Sequence, residues 1–356
     1  MSGLLASTIG MIRPLDEKAM AQARARQDEL TKPQGSLGRL EELSIQLAGI
    51  QGEPRPQINQ KAIITMAGDH GVVAEGVTLY PQEVTAQMIR NFLRGGAGIN
   101  IIARQIGARV IVVDMGVAAG LEPDARLLSR KVAPGTMNMC LGPAMTDKQA
   151  LKAIETGIEI VAAEVARGLD IVATGDMGIG NTTASSAICA VMTGRPAAEV
   201  TGRGTGIGDA QLGHKTAVID KALAVNRPDS SQPLAVLAKV GGFEIGGLAG
   251  VMLAAAAYRV PVVLDGFISG AAALIATALA PGLEDFLIAG HVSAEAGHRL
   301  LLSHLGLKPL LDLNMRLGEG TGAALGIFLA ETAAKALSDM FTFTEAGVSE
   351  KDKASQ

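Results

Sequence analysis

Five short apolar runs, each ending in glycine or a polar residue, alternate along the chain with longer segments of helical periodicity. Lys61–Ala67 ends in Gly68-Asp69-His70-Gly71, and Arg109–Asp114 ends in Met115-Gly116. Leu169–Thr174 runs into Gly175-Asp176-Met177-Gly178-Ile179-Gly180-Asn181-Thr182-Thr183, Val260–Leu264 into Asp265-Gly266, and Phe286–Ala289 into Gly290-His291. Short apolar runs of this kind are strands buried on both faces. Helical patterns cover residues 15–30, 37–50, 83–105 with a break at Gly95-Gly96-Ala97-Gly98, 147–167, and 323–336. The alternation predicts an α/β fold with a doubly wound parallel sheet, whose glycines, acids and histidines gather at the carboxyl ends of the strands. Residues 31–304 are expected to form this large domain. Residues 1–30 and 305–344, whose helices have no strand partners, are expected to form a small helical lobe. The polar segment 345–356 is expected to be disordered.

Composition narrows the function classes. The chain has 356 residues, 19% charged and 48% hydrophobic, enough for a sizeable core. There are 44 glycines, no tryptophan and only 3% aromatics, so small residues must build much of the packing. The net charge of −4, without a basic stripe, argues against nucleic acid. Cys140 and Cys189 form no CxxC or Cys/His cluster, which points to reduced thiols and no metal. The first residues lack a basic segment before their apolar run. The apolar stretches at 246–264 and 267–283 are broken by Arg259, Pro261 and Pro281, so no membrane span is expected. The expected protein is cytoplasmic.

The candidate chemistry sits in glycine loops. Glu319 lies between Gly318 and Gly320, just before the helical pattern that starts at Ala323. Two readings are open for it: an accessible acid or base, or an acid of the first helical turn that complements the helix dipole. Gly178 and Gly180, followed by Asn181 and Thr182, form a strand–helix loop able to turn backbone N–H groups toward a phosphate. Gly204 and Thr205 belong to a second glycine loop, with Lys215 eleven residues after Gly204 as a point charge. The Walker A pattern fails by one residue, since His214 stands between Gly213 and Lys215. The dinucleotide pattern GxGxxG fails at Asp209. A dehydrogenase or kinase, or a non-catalytic nucleotide-binding regulator, stays open on the same fold. Asp69-His70 reads as a catalytic or metal-binding dyad or as a hydrogen-bonded loop pair. Ser293 reads as a helix cap or a phosphate ligand. Met88 is core filling or the wall of an apolar base pocket.

Taken together, the motifs resemble the nicotinate-nucleotide:dimethylbenzimidazole phosphoribosyltransferase family. The resemblance spans nearly the whole chain. It rests on KPQGSLGRLE from Lys32, MAGDHGV from Met66, YPQEVTAQM from Tyr80, GDMGIGNTT from Gly175, KVGGFEIGGLAGVML from Lys239, LDGFISGAAAL from Leu264, HVSAEAG from His291 and MRLGEGTGAAL from Met315. It implies a homodimer with a Rossmann-like sheet and a lobe of terminal helices, working without a cofactor. The implied reaction converts nicotinate mononucleotide and 5,6-dimethylbenzimidazole into α-ribazole 5′-phosphate and nicotinate, for the nucleotide loop of cobalamin. The family's catalytic base falls on Glu319, with Asp176 as a helper where many members carry Glu. Substrate contacts are expected from Tyr80, Met88, Gly178, Gly180, Asn181, Thr182, Gly204, Thr205, Lys215, Asp265, Ser293, Leu317 and Gly318.

The leaving group of that reaction is a pyridinium, already activated by its own charge. Turnover is therefore expected to survive EDTA. Loss of activity on chelation, restored by a divalent ion, would show that a metal takes part.

Overall fold

The structure, a computed structural model, describes residues 3–204 and 206–349. Among them are six strands: β1 (Lys61–Gly68), β2 (Arg109–Gly116), β3 (Leu127–Ser129), β4 (Ile171–Met177), β5 (Val262–Leu264) and β6 (Leu287–Ala289). The early helices are α1 (Gly3–Met11), α2 (Glu17–Glu29), α3 (Arg39–Gln51), α4 (Glu83–Arg94), α5 (Gly98–Gln105), α6 (Asp147–Val165), α7 (Asn181–Thr193) and α8 (Ala197–Val200). The later ones are α9 (Asp209–Asn226), α10 (Pro233–Val240), α11 (Phe243–Ala257), α12 (Phe267–Leu279), α13 (Ala296–His304), α14 (Thr321–Asp339) and α15 (Phe343–Ala346).

All strand pairs are parallel, in the order β3-β2-β1-β4-β5-β6. The direction of winding reverses between β1 and β4, and the crevice beyond the carboxyl ends of strands at such a reversal is where doubly wound sheets bind ligands. Side chains alternate across the sheet. Ala62, Ile64, Met66, Val172 and Val262 enter the core with α6, α7, α11 and α12. Ile63, Ile171, Ala173 and Val263 enter the core with α3, α4, α5 and α14. Both faces are thus covered, which is why the strands carry near-continuous apolar runs.

β4 runs three residues further than its apolar run suggests, so Gly175 and Asp176 are strand positions. A Cβ at Gly175 would strike the backbone carbonyl of Glu319. The edge strand β3 and the helix α1 carry no sequence signal. β3 has only three residues and exists by pairing with Val112–Asp114, while α1 packs on α6 and α11.

α11 is buried along nearly its whole length and crosses α6 at very close range. No helix among the described residues is long and apolar enough to cross a membrane. α14 has two surroundings. Ala323, Ala324 and Ile327 lie over the sheet, whereas Leu337 meets Ala23 of α2 and Ala48 of α3. Arg26 of α2 ties down the chain after α14, its Nε donating to the Leu337 carbonyl (2.8 Å) and a terminal nitrogen to that of Met340 (3.0 Å). Helix extends past residue 344: α15 is capped at its start by Thr342, whose Oγ1 accepts from the Glu345 N–H. The rest of the expected disordered tail, 350–356, lies outside the described residues.

The α6–α11 crossing sets a stability test. A Cβ on Gly250 would overlap the Ile154 carbonyl, and one on Gly157 the Gly247 carbonyl. Overpacking of this kind costs about 1–3 kcal/mol or more when backbone is the obstacle. Gly250→Ala is expected to lower Tm by several degrees in a thermal melt; an unchanged Tm would mean that the helices separate freely.

Candidate active site

The carboxyl ends of β1, β4 and β5 meet the turn that precedes α14. Gly318, Glu319 and Gly320 all take positive φ, at +80°, +66° and +98°. Glycine adopts this region freely, but for Glu319 it costs roughly 1–2 kcal/mol. Three contacts hold the turn against that cost. The Glu319 N–H donates to the Asp176 carbonyl (3.1 Å). Its carbonyl accepts from Thr65 Oγ1 (2.9 Å), and its Oε2 accepts from the Ile99 N–H (3.0 Å). Glu319 therefore sits just outside α14, whose N-cap is Gly320, and its carboxylate meets the N-terminus of a different helix, α5. It is 4% exposed. Burial pushes its pKa up, the Ile99 N–H opposes, and Asp265 adds to the rise. A carboxylate displaced in that direction is a better proton acceptor near neutral pH.

Asp176, at the end of β4, is buried. Its Oδ2 accepts from Asn181 Nδ2 (2.9 Å), and its Oδ1 has no hydrogen-bond partner among the described residues. Burial holds its pKa well above the usual range, reinforced by Asp265, Glu244 and Glu319. Asn181 thus secures Asp176 and does not cap α7, whose N-cap is Gly180 with no side-chain bond. Gly180 itself faces away from the cleft. A Cβ there would stand 2.8 Å from Val73 Cγ2 and 3.2 Å from His70 Cβ. Its positive φ (+95°) serves the packing of the β4–α7 loop on the β1 loop, and it is not among the residues that line the cleft.

Asp265 is also set behind the site. Its Oδ1 accepts from the Gly322 and Ala323 N–H groups (2.7 and 3.1 Å), and its Oδ2 from Gly320 N–H (3.1 Å). The carboxylate expected to touch substrate caps α14 instead.

A cleft of about 390 Å³ opens between these elements. Glu319, Asp176, Gly318 and Leu317 line it, together with the largely apolar Tyr80, Met88, Val84 and Ile179. Gly178, Asn181, Thr182, Gly204 and Ser293 complete the expected set on its walls. Thr205 lies outside the described residues. Lys215, on α9, is 1% exposed and sits behind Thr182, its Nζ donating to Thr182 Oγ1 (2.8 Å) and to the Gly202 carbonyl (3.4 Å). Burial pushes its pKa down to about 8, with Glu295 opposing. Ser293 does not cap α13, which starts three residues later. Its N–H donates to His298 Nδ1 (2.7 Å) and its Oγ accepts from the Glu295 N–H (3.3 Å). Burial pushes His298 down to about 3, keeping that ring a neutral acceptor.

Three polar residues on the cleft wall are absent from the sequence-based set: Arg316, Glu295 and His291. Arg316 donates to the Gly204 carbonyl (3.2 Å), joining the segment before Glu319 to the Gly204 loop. A lone cation three residues before Glu319 was a readable signal. Nothing in the sequence separates Glu295 from an ordinary helix-start acid. Asp69-His70 is resolved as a structural element. His70 Nε2 pairs with Glu244 Oε1 (2.7 Å), which overcomes burial and raises its pKa, while Asp69 Oδ2 accepts from the Ala118 N–H (2.8 Å). Among the described residues, no three His, Cys, Asp or Glu side chains gather as a metal-ligand set.

The sequence and the fold are shared with known proteins. The DBI_PRT family model, described as Phosphoribosyltransferase, matches residues 12–348. The chain is 61% identical over 347 residues to the nicotinate-nucleotide–dimethylbenzimidazole phosphoribosyltransferase of Desulforudis audaxviator, covering 98% of both proteins. It is 62% identical over 348 residues to the protein of that name from Roseiflexus sp., covering 98% of this chain and 99% of the relative. It is also similar to the crystal structure of CobT from Thermus thermophilus, with TM-score 0.90 and 50% identity over 94% of this chain and 99% of that one.

Proposed function

The chain belongs to the DBI_PRT phosphoribosyltransferase family, and from that premise we propose how its residues carry out the reaction of its relatives. It transfers the phosphoribosyl group of nicotinate mononucleotide to 5,6-dimethylbenzimidazole or a related base, releasing nicotinate.

The polarity of the cleft matches the donor. Nicotinate mononucleotide carries a cationic pyridinium at one end and an anionic phosphate at the other. Glu319 brings a carboxylate to the cleft, while Arg316 reaches the Gly204 carbonyl and Lys215 backs Thr182. The phosphate fits near those two cations, where Thr182 and Gly204 also lie. The acceptor base fits the apolar wall of Tyr80, Val84 and Met88.

The C1′–N bond breaks with its electron pair passing to the pyridinium nitrogen, so nicotinate leaves without protonation. The free ring nitrogen of the benzimidazole attacks C1′ from the opposite face, which inverts β to α. The N–H proton of the acceptor passes to Glu319 and then to solvent. Asp176, whose ionisation is opposed by burial and by the neighbouring acids, orders the loop through Asn181. Glu319 carries the reading: it is a buried carboxylate with a raised pKa, with one oxygen engaged by a backbone amide.

The reading includes a cytoplasmic homodimer. Leu79, Tyr80 and Leu317, all at least half exposed around the cleft, support a protein surface covering that rim.

Glu319→Gln retains size and hydrogen bonding and removes proton acceptance. Turnover is expected to fall about 100- to 10,000-fold, with both substrates still bound. The acid limb of the wild-type rate profile, where the carboxylate becomes protonated, is expected to vanish. Near-normal turnover with the same acid limb would assign the proton to another group.

Lys215 gives the opposite sign. Its charge is present below its pKa of about 8 and lost above it. We expect kcat/KM for nicotinate mononucleotide to decline as pH rises through that value, since kcat/KM reports the free enzyme. Lys215→Met is expected to raise KM about tenfold or more and to lack this limb. An unaltered alkaline limb in the variant would remove Lys215 from phosphate binding.

A further inference from the structure

The carboxylate of Glu319 is gripped by a segment 220 residues earlier in the chain, at the break between α4 and α5. Gly95 ends α4 in the left-handed region (φ +78°). Ala97 is the N-cap of α5, and its N–H donates to Asn100 Oδ1 (3.1 Å), which closes the turn. Gly98 is the first residue of α5 and Ile99 the second, so the Ile99 N–H is one of the amides a helix start leaves without a partner. Glu319 Oε2 takes it at 3.0 Å, and Oε1 is left free of that bond. The approach is possible because Gly98 has no side chain: a Cβ there would stand 2.9 Å from Leu317 Cδ2 and 3.3 Å from Glu319 Oε2. α5 packs against α14, the helix that Glu319 precedes, so the two helix starts form one rigid frame around the carboxylate.

We propose that this turn is a positioning device for the reaction, with Gly98 as the gap and the Ile99 N–H as the anchor that holds one oxygen of Glu319 and leaves the other to face the acceptor's N–H. The inference rests on the reading of Glu319 as the base. A charged hydrogen bond from a helix start favours the ionised carboxylate. The anchor therefore works against burial and keeps the base ionised further down the pH scale than it would be without it. It also fixes the direction of the free lone pair, and small misplacements of a reacting group are expensive.

The test is a cycle of Gly98→Ala, Glu319→Gln and the double variant, with kcat followed against pH. Gly98→Ala is expected to lower kcat about tenfold. It should move the acid limb to higher pH, because the group that favours the charged form has been pushed away, and leave KM for nicotinate mononucleotide within about twofold of wild type. In the Glu319→Gln background the same substitution should change residual turnover by less than about twofold, since there is no carboxylate left to position. Asn100→Ala loosens the same turn without adding an atom near Glu319, and should shift the limb in the same direction; it decides the matter if Gly98→Ala does not fold. Equal losses in both backgrounds with the limb unmoved would reduce Gly98 to a packing residue and overturn the proposal. Full turnover in Glu319→Gln alone would instead overturn the assignment of the base, and the positioning role with it.

Discussion

The carboxylate of Asp265, seated among the first amides of α14, is the contact on which the carboxyl end of the sheet depends. It comes from the loop after β5 and accepts three backbone N–H groups, from Gly320, Gly322 and Ala323. A charge in that position is stabilised by the helix start, by up to about 2 kcal/mol when partly buried. It fixes where α14 begins and therefore where the preceding turn must lie. Thr65 at β1 and Asp176 at β4 then bind the Glu319 backbone from either side. Three adjacent strands each contribute to one strained turn, which is how a glutamate persists at positive φ.

The same crowding sets the electrostatics. Asp176, Asp265, Glu244 and Glu319 are all nearly inaccessible and close enough to influence one another. Burial among these acids raises the pKa of Asp176 and, against the pull of its amide partner, that of Glu319. Their partners separate the roles. Asp265 is satisfied by amides of α14, Glu244 pairs with His70, and Asp176 accepts from the side chain of Asn181. Glu319 has a helix-start amide on one oxygen, which favours its charge, and offers the other to the cleft. Lys215 lies behind Thr182, its Nζ donating to Thr182 Oγ1, so a cation backs this wall of the cleft.

Apolar runs ending in glycine and acid predict a parallel sheet with those glycines and acids gathered at its carboxyl ends, and the sheet has that arrangement. Both facts are local in sequence: a strand buried on two faces needs consecutive apolar residues, and a tight exit from it needs glycine or a short polar side chain. Glu319 stood out for the same reason, since two flanking glycines leave a carboxylate open to whatever approaches. β3 was invisible because three residues have no periodicity of their own. α1 was missed because its packing on α6 and α11 decides it, not its own pattern.

What the sequence by itself determined is thus the sheet, the identity of the loops that meet at its carboxyl edge, and, by resemblance, the family and its reaction. Tertiary structure alone decided which way each loop residue faces. Gly180 and Asp265 sit in motifs that read as substrate contacts, yet one clears space for His70 and Val73 and the other caps a helix. Asn181 reads as part of a phosphate loop and Ser293 as a cap or a phosphate ligand, yet the side chain of one holds Asp176 and the backbone of the other bonds His298. Arg316 joins the cleft by reaching Gly204, 112 residues away. The amide that grips Glu319 comes from a helix start 220 residues earlier. Turn chemistry and periodicity act within a few residues, whereas the direction of a side chain at a helix start depends on elements brought together only when the sheet closes, and no local pattern records that.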